Sequence, residues 1–418
     1  MNETNIRVHD SLSDIDATDW DSMTAANPTV KHAWLQSMID TGCTTAASGW
    51  LPQFLTLTRE IDGRTQLAGA VPLYLKSHSY GEYVFDWAWA DAYHRAGLDY
   101  YPKLVCAVPF TPCTGARILA RTSHDRDALI NAMILLAEDT TVSSLHVLFS
   151  PDDEQQALVK HGMLARQNVQ FHWENKNYAN FADFLSSMNH DKRKKIKQER
   201  KYVRQAGGTF QRKVGNEITA TDWDFFTRCY AHTYQQHRST PYLNREFFGL
   251  VGDRMPDNIL LIIASQNSEP IAASLNLFNE QTLYGRYWGA LAPMSGLHFE
   301  TCYYQALEFC IDRNIQFFEG GAQGEHKLAR GFTPVICHSA HLIKNVRFAN
   351  AVGNFLQREA GRIDQYLDEL DTHRPFKHVH RTNVIPVKAP YQVLPWSLMP
   401  LVFCHWSTAI QTTTWHLF

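Results

Sequence analysis

The chain has 418 residues, 44% hydrophobic and 19% charged, which is long enough for two globular domains. Its net charge of −3 excludes a protein that binds nucleic acid over its whole surface, so any basic surface must be local. The eight cysteines show no Cys-x-x-Cys pair and no zinc-like spacing, which favours a reducing compartment and predicts no metal site.

The chain begins Met-Asn-Glu-Thr-Asn, without the basic region and apolar core of a signal peptide. No apolar run reaches the length that a membrane-spanning helix needs. We therefore expect a cytoplasmic protein without a transmembrane segment.

Two short sequence echoes predict an internal duplication. Ala-Thr-Asp-Trp-Asp occurs at 17–21 and at 220–224, and Tyr-Gly-x-Tyr occurs at 80–83 and at 284–287. The two offsets differ by a single residue, which is unlikely for unrelated coincidences. The pattern therefore indicates that one fold is present twice.

In the first copy, helical and strand patterns alternate. Helices are expected where apolar residues recur at helical spacing, at 20–23, 31–39, 127–138 and 153–160. Strands are expected at 54–59, 66–75, 83–89, 104–108 and 145–149. Asp62-Gly63 is a strong hairpin signal between the first two of these strands.

Between the copies, an amphipathic helix at 181–188 is followed by a strongly basic one at 191–204. Only Ile196 and Val203 give the basic helix an apolar stripe, so we expect it to be exposed. It is either a solvated charged helix or a phosphate-binding surface for tRNA or a diphosphate-linked substrate. The candidate phosphate contacts are Lys194, Lys195 and Lys197.

The second copy repeats the plan of the first. Helices are expected at 222–236, 245–251 and 299–310, and strands at 259–264, 270–278, 282–288 and 315–318. This order is that of the GNAT acyltransferase fold, so we predict an α/β protein with two tandem GNAT-like domains. The predicted division is a first domain at 1–178, a helical linker at 179–208, a second domain at 209–377 and a Pro-containing tail of unassigned role at 378–418.

The strand at 315–318 leads into the densest cluster of functional groups. Gly320, Gly321 and Gly324 let the backbone turn sharply there. The groups that can bind anions or move protons are Glu319, Gln323, Glu325, His326, Lys327 and Arg330. A strand that ends in a glycine turn and then in charge is a common place for a site in α/β proteins, although a solvated loop gives the same pattern.

Five segments resemble a bacterial family described as GNAT-like and linked to peptidoglycan biosynthesis or recognition. They are Gly-Trp-Leu-Pro at 49–52, the aromatic stretch at 76–91, Pro-Phe-Thr-Pro at 109–112, Tyr-Gly-Arg-Tyr-Trp-Gly at 284–289 and the glycine turn at 319–332. The resemblance covers about residues 5–377. More distantly, the chain resembles Fem-type aminoacyltransferases, which carry two GNAT-like domains and add amino acids from aminoacyl-tRNA to a peptidoglycan precursor.

The resemblance implies an N-acyltransferase whose donor is acyl-CoA or aminoacyl-tRNA and whose acceptor is an amine, such as that of a peptidoglycan precursor. For CoA, GNAT enzymes use an Arg/Gln-x-x-Gly-x-Gly/Ala turn, whereas Arg286 to Leu291 ends in leucine. Fem-type enzymes carry a lysine before a Gly-Phe; Lys327 resembles it at a wider spacing, and Arg330 is the alternative cation.

Acyl transfer to an amine needs a proton acceptor and donors for the developing oxyanion. The candidate bases are Glu319, Glu325 and His326, and the candidate stabilising groups are Lys327, Arg330 and Tyr287. The candidate substrate-binding residues are Arg286, Tyr287, Trp288 and Gln323. Two other functions remain open: a non-catalytic protein that binds a cell-wall precursor, and a tRNA-binding protein.

Overall fold

The computed structural model describes residues 4–61, 64–322, 324–372 and 375–376. Within these ranges the strands are β1 (Thr4–His9), β2 (Trp50–Pro52), β3 (Phe54–Ile61), β4 (Arg64–Val71), β5 (Leu73–Lys76), β6 (Lys103–Cys106), β7 (Leu119–Ala120), β8 (Ser144–Ser150), β9 (Leu164–Glu174), β10 (Gly208–Val214), β11 (Ile259–Gln266), β12 (Glu269–Phe278), β13 (Thr282–Ala290), β14 (Phe317–Ala322) and β15 (Thr333–Ile343).

The α-helices of the described residues are α1 (Ala17–Asp21), α2 (His32–Asp40), α3 (Trp87–Arg95), α4 (Ser123–Asp139), α5 (Asp152–Lys160), α6 (Phe181–Ser187), α7 (His190–Gln205), α8 (Ala220–Gln236), α9 (Arg245–Arg254), α10 (Leu297–Phe299), α11 (Gln305–Asp312) and α12 (Val346–Thr372). A π-helical segment, Glu300–Tyr304, joins α10 to α11, and a 3₁₀ helix, Glu325–Arg330, follows β14. The expected tail at 378–418 and the Asp62-Gly63 turn lie outside the described residues.

One large sheet runs through both halves of the chain. Its eleven strands lie in the order β10-β11-β12-β13-β14-β9-β15-β8-β6-β5-β2. A second sheet has four strands in the order β1-β3-β4-β7. Two neighbouring pairs of the large sheet are parallel, β13 with β14 and β6 with β8.

The two halves have related strand orders, although the first-half series is divided between the two sheets. The series β10-β11-β12-β13 in the second half corresponds to β1-β3-β4 and then β5-β6 in the first half, and each series leads to a parallel pair. At the centre the halves exchange strands, because β15 lies between β8 and β9 while β9 lies between β14 and β15. The related order is what a duplication predicts. The domain bounds at 178 and 208 stay a prediction.

The first echo occupies equivalent positions in the two halves. Trp20 lies in α1 and Trp223 in α8, each near the start of its helix and each buried. The side chain of Asp16 caps α1, and Thr219 caps α8 in the same way. Both tryptophans pack into one hydrophobic cluster, in which Trp34 of α2 contacts Phe247 of α9 at a centroid distance of 5.0 Å. The equivalent helices of the two halves therefore pack against each other.

Two of the strand predictions for the first half are wrong. The strand at 66–75 is two strands, β4 and β5, in different sheets; Pro72 separates them because it has no amide hydrogen for a ladder. The strand at 83–89 is instead a loop that runs into α3, whose buried Trp89 and Tyr93 lie one helical turn apart. The second echo is therefore not structurally equivalent, since residues 80–83 lie in a loop and 284–287 in β13.

The remaining expected elements are present with shifted ends. The helix expected at 299–310 contains the π-helical segment, and the strand expected at 315–318 begins at Phe317 and runs on through the first glycines. Helix α12 crosses β9 and β15 and buries Val352 and Leu356 beside Trp89. None of the described helices is long and apolar enough to cross a membrane.

Candidate functional site

A pocket lies where β13 and β14 separate. The two strands pair in parallel only at 282–284 and 317–319, and beyond these positions they diverge. Neighbouring parallel strands that diverge leave a crevice at their carboxyl ends, where α/β folds commonly bind ligands. Its enclosed free volume is about 30 Å³, and its empty space is about 350 Å³ when the open solvent at its mouth is included. It is lined by Ser274, Leu275, Asn276, Gly285, Arg286, Tyr287, Trp288, His298, Cys302, Tyr303, Phe318 and Gly320.

One wall of the pocket is a β-bulge in β13. Tyr287 pairs with Leu275 and Gly285 pairs with Asn276, so Arg286 is the extra residue. The extra residue of a bulge is left without a ladder partner. The Arg286 amide is therefore a candidate donor to a ligand oxygen, the kind of group that an oxyanion needs in acyl transfer.

The opposite wall depends on the glycine turn after β14. A Cβ added to Gly320 would lie 2.9 Å from the Phe332 ring and 3.2 Å from the Phe171 oxygen. Gly321 and Gly324 have φ values of +79° and +111°, which L side chains rarely adopt. The expected sharp turn is confirmed, and it packs the 3₁₀ helix closely against β14.

Lys327 is fully buried beneath this turn. Its Nζ donates to the backbone oxygen of Gly321 at 2.9 Å. Burial lowers the pKa of the ammonium to about 7, while Cys302 acts in the opposite direction. Near neutral pH this lysine therefore exists in both protonation states, so it can supply a positive charge or hold a proton.

Arg330 is engaged with the basic helix. Its Nη2 lies 3.0 Å from the Glu199 carboxylate of α7, and its guanidinium lies 3.3 Å from the centre of the Phe299 ring. Its Nη1 donates to the backbone oxygen of His326 at 2.6 Å. Arg330 thus fixes the 3₁₀ helix against α7, and its charge is neutralised within the protein.

Two of the three candidate bases lie in the 3₁₀ helix and face different surroundings. His326 is half-buried, and its Nε2 lies 3.1 Å from the hydroxyl of Tyr303, which lines the pocket. Glu325 is exposed and accepts a hydrogen bond of 2.8 Å from Tyr366 of α12. The structure therefore brings His326, but not Glu325, next to the pocket lining.

Glu319, the third candidate base, lies in β14 and is 8% exposed. Its carboxylate accepts from the backbone amide of Thr114 at 3.3 Å. Burial raises its pKa to about 8, although the Thr114 amide acts to lower it. At neutral pH this carboxyl is mostly protonated and is better suited to donating a hydrogen bond than to accepting a proton.

The candidate substrate-binding residues of β13 face two directions. The Nη2 of Arg286 donates to the Phe110 oxygen at 2.5 Å, and the Tyr287 hydroxyl donates to the same oxygen at 3.2 Å. Both side chains thus contact the first half of the chain. Trp288 is half-buried in the pocket lining, with its ring centroid 5.3 Å from that of His298. Gln323 lies outside the described residues.

The segment that resembles a CoA-binding turn serves another purpose. A Cβ at Gly289 would lie 2.0 Å from the backbone oxygen of Cys229, so this glycine lets α8 approach β13. Residues 286–290 belong to β13, and the next helix begins only at Leu297. The turn therefore lacks the close join between a strand and a helix N-terminus that holds a diphosphate.

The basic helix is confirmed as α7, with Ile196 and Val203 buried. Its candidate phosphate contacts, Lys194, Lys195 and Lys197, are exposed, and none of them forms an ion pair with another described residue. The inward side is held by ion pairs of Glu199 with Arg330 and of Arg200 with Glu300 and Glu308. A cationic surface is thus fixed rigidly beside the 3₁₀ helix.

The sequence patterns missed three residues that the fold brings to the site. His298 and Tyr303 line the pocket from α10 and the π-helical segment, and Glu199 reaches the 3₁₀ helix from α7. Tyr303 belongs to the apolar face of the helix predicted at 299–310, His298 lies just before that helix, and Glu199 is a single acid among cations. Among the described residues, no group of His, Cys, Asp and Glu is arranged to hold a metal ion.

Two solved structures with low sequence identity, FemX and L-PGS, share this fold. FemX aligns with a TM-score of 0.51 and 11% identity, covering 84% of this chain and 100% of FemX. L-PGS from Bacillus licheniformis aligns with a TM-score of 0.51 and 8% identity, covering 84% and 97%. A tandem GNAT protein from the clavulanic acid biosynthesis pathway has a TM-score of 0.39 and 11% identity, covering 82% and 98%.

The predicted α/β class, with two tandem GNAT-like units and a basic helical segment between them, is confirmed. No curated protein matches the chain in sequence. The FemAB-like family, described by its role in peptidoglycan biosynthesis and recognition, matches residues 11–378. This match spans most of the 418 residues, so the chain belongs to the FemAB-like family.

Proposed function

We propose that the protein transfers an aminoacyl group to an amine of a peptidoglycan precursor, and that the reaction takes place in the pocket between β13 and β14. The observation that carries this proposal is the buried Lys327, whose pKa of about 7 places a titratable cation under the glycine wall of the pocket. Membership of a family linked to peptidoglycan biosynthesis supports the class of acceptor.

In the proposed reaction the acceptor amine attacks the carbonyl carbon of an aminoacyl ester. A C–N bond forms, the ester C–O bond breaks, and the amine loses one proton while the leaving hydroxyl gains one. In this proposal the amide of Arg286, the residue that the bulge leaves without a ladder partner, donates to the developing oxyanion. The ammonium of Lys327 adds positive charge in a site with little water, where it acts more strongly than in solution.

We assign proton transfer to His298, which lines the pocket directly. His326 orients Tyr303 through the hydrogen bond between its ring and the Tyr303 hydroxyl. Arg330 in turn holds His326 by donating to the backbone oxygen of His326. Glu319 does not line the pocket; its carboxyl accepts from the Thr114 amide and joins β14 to the first half, so it is assigned no part in the chemistry. Glu325 has no role in the chemistry under this proposal because its carboxylate is bound to Tyr366 at the surface.

The geometry favours aminoacyl-tRNA over acyl-CoA as the donor. Gly289 is used to pack α8 against β13, and Leu291 places a side chain where a CoA diphosphate would need close backbone. The exposed cations of α7 instead offer a surface for a nucleic-acid backbone, and α7 is joined to the 3₁₀ helix by the pair of Glu199 and Arg330. A tRNA on this surface would place its acceptor end near the pocket.

The test is a transfer assay with two labelled donors. Total tRNA charged with labelled amino acids, and labelled acetyl-CoA, are each incubated with the protein and a UDP-linked muropeptide that carries a free amine. We expect the muropeptide to be labelled by aminoacyl-tRNA and not by acetyl-CoA. Labelling by acetyl-CoA alone would contradict the proposal that aminoacyl-tRNA is the donor. Saturable muropeptide binding without transfer from either donor would support a non-catalytic binding protein instead.

A further inference from the structure

Two aromatic side chains lie exposed side by side in the segment between β5 and β6, one in the loop and one at the start of α3. Tyr80 is 56% exposed and Trp87 is 40% exposed, and their ring centroids are 5.0 Å apart with an interplanar angle of 61°. His78 packs against Tyr80 at a centroid distance of 5.2 Å. Large aromatic rings exposed together on a folded surface commonly mark a contact site. We call Tyr80 and Trp87 the aromatic shelf.

Buried charges fix the loop that carries the aromatic shelf. The ammonium of Lys103, which is fully buried, binds three groups of this loop. These groups are Ser79 Oγ at 2.8 Å, Glu82 Oε2 at 2.8 Å and Asp86 Oδ2 at 2.5 Å. Taking three charges out of water is costly, and an ordinary surface loop has no need of it. The loop is therefore held in one defined shape.

Both rings project from backbone positions that this network controls. The backbone oxygen of Tyr80 accepts from Trp50 Nε1 at 3.2 Å and from Lys76 Nζ at 3.3 Å, and both donors belong to fully buried residues. Trp87 is the first residue of α3 and directly follows the bound Asp86. The aromatic shelf is thus rigid before any ligand arrives, which lowers the entropic cost of binding.

The charge around the aromatic shelf favours a neutral ligand. Residues 77–102 contain one cation, Arg95, and four acids, of which Glu82 and Asp86 are buried. An anionic membrane surface or a phosphate backbone would require several cations beside the rings. A pyranose ring satisfies the chemistry, because its C–H face is apolar and packs on aromatic rings while its hydroxyl groups point outward into water.

We propose that Tyr80 and Trp87 bind a neutral sugar ring. Resting on the proposed function, the structure assigns this ring to the amino sugar of the acceptor. The aromatic shelf is linked to the pocket by a short chain of contacts. The Phe110 amide donates to the oxygen of Gly81, the residue after Tyr80, at 3.1 Å, and the Phe110 oxygen accepts from Arg286 at 2.5 Å. This chain of contacts links the loop of the aromatic shelf to the wall of the pocket.

The test is a titration of the full chain with the tetramer of N-acetylglucosamine, followed by tryptophan fluorescence and by calorimetry. We expect saturable binding, and we expect Tyr80→Ala and Trp87→Ala each to raise Kd by about tenfold. Leu135→Ala is the control, since Leu135 is 57% exposed on α4, away from the loop. It should leave Kd unchanged. Because all three side chains are exposed, the variants should keep the wild-type circular dichroism.

Three results would overturn the proposal. The first is the absence of saturable binding to the wild type, and the second is an unchanged Kd in both aromatic variants. The third is that the wild type, but not the aromatic variants, binds anionic vesicles or a second copy of the chain. The transfer assay separates this inference from the proposed function. Sugar binding without transfer supports the aromatic shelf alone, whereas transfer without sugar binding supports the pocket alone.

Discussion

The equivalent parallel strand pairs of the two halves differ in whether the crevice beside them is open. In the second half, β13 and β14 diverge and leave an open pocket. In the first half, β6 and β8 pair at 104–106 and 145–147, and the chain after β6 returns to cover the end of β8. The Gly115 amide donates to the Phe149 oxygen at 3.1 Å, and Arg117 Nε donates to the Leu148 oxygen at 2.8 Å.

The buried cations of the two halves show what this difference means. Arg117 is fully buried and donates to several backbone oxygens, so its groups are satisfied within the protein. Lys327 is also fully buried, but it lies under the wall of an open pocket and its pKa is lowered to about 7. In the first half the protein's own chain closes the crevice, whereas in the second half the crevice stays open, and the proposed function places the reaction there.

The largest expected effect comes from removing the charge of Lys327. Lys327→Met keeps most of the side-chain volume, so the protein should fold, but it removes a cation worth roughly 3–4 kcal/mol to the transition state. We expect kcat to fall by about two to three decades in the transfer assay. Lys327→Arg should restore only part of it, because a planar guanidinium does not replace a compact ammonium. Wild-type turnover in Lys327→Met would mean that the reaction does not take place in this pocket.

Arg117→Met is the matched substitution in the first half. It leaves buried backbone oxygens without donors, so we expect the free energy of unfolding to fall by about 3 kcal/mol. The kcat of the protein that remains folded should stay within about threefold of wild type, since Arg117 does not line the pocket. Urea unfolding and the transfer assay measure the two quantities. A large fall in kcat with unchanged stability would mean that the first-half crevice takes part in the chemistry.

Charge reversal on α7 tests whether the second half also carries the nucleic-acid surface. Changing Lys194, Lys195 and Lys197 to Glu should weaken tRNA binding by roughly 10- to 100-fold at moderate salt and reduce the salt slope by about 2 to 3. The melting temperature should change little, since exposed charges contribute little to stability. The control reverses three exposed cations elsewhere, Lys160, Arg347 and Arg358. Equal losses in both variants would indicate a net-charge effect alone.

The pH dependence of turnover and of stability should have opposite signs. Above pH about 7 the folded protein loses the Lys327 ammonium, so kcat should fall about tenfold per pH unit. The unfolded chain keeps that proton up to about pH 10.4, so above pH 7 Lys327 binds more protons in the unfolded state, which raises stability as pH rises. Glu319, Glu82 and Glu154 act in the opposite direction, because burial raises the pKa of Glu319 to about 8 and that of the other two to about 7. The net rise in stability is therefore expected once these carboxyls have ionised, above about pH 8. Lys76, whose pKa burial also lowers to about 7, contributes to the stability trend from the first half.

Lys327→Met separates the two contributions to that pH dependence. It should remove the fall in kcat above pH 7 and leave the part of the stability trend that comes from Lys76. Stopped-time transfer assays and urea titrations across pH 6 to 9 provide both profiles. A kcat profile in Lys327→Met that still falls above pH 7 would assign the titration to another group.

The smallest expected effect is at Glu325. Glu325→Gln should change kcat by less than about twofold, because its exposed carboxylate contacts Tyr366 and not the pocket. His298→Gln is the comparison from the pocket lining, where a loss of about two decades or more is expected. Comparable losses in the two variants would show that the 3₁₀ helix rearranges during catalysis.

Sequence patterns predicted most of the elements and the duplication because the signals are local. Helical spacing marked α4 and α8, and the apolar stripe of α7 was read correctly from Ile196 and Val203. The error at 83–89 arose because aromatic residues suit both a strand and a helix that buries one face. The break at Pro72 follows from tertiary pairing as well as from proline, since β4 and β5 join different sheets.

The candidate site was predictable only in part. The glycine turn and Lys327 were visible as a strand end followed by charge. The burial of Lys327 and the engagement of Arg330 with Glu199 depend on contacts across more than 100 residues of sequence, which no local pattern encodes. The same holds for His298, which enters the pocket only because β13 and β14 diverge beside α10.

Hydrogen–deuterium exchange with total aminoacyl-tRNA bound is the measurement that tests most directly whether the second-half pocket holds the donor. We predict protection at 283–290, 297–304 and 317–322, and also in α7. Exchange at the equivalent first-half segments, 104–108 and 144–150, should be unchanged. Protection at the first-half strands with none around the pocket would contradict this prediction.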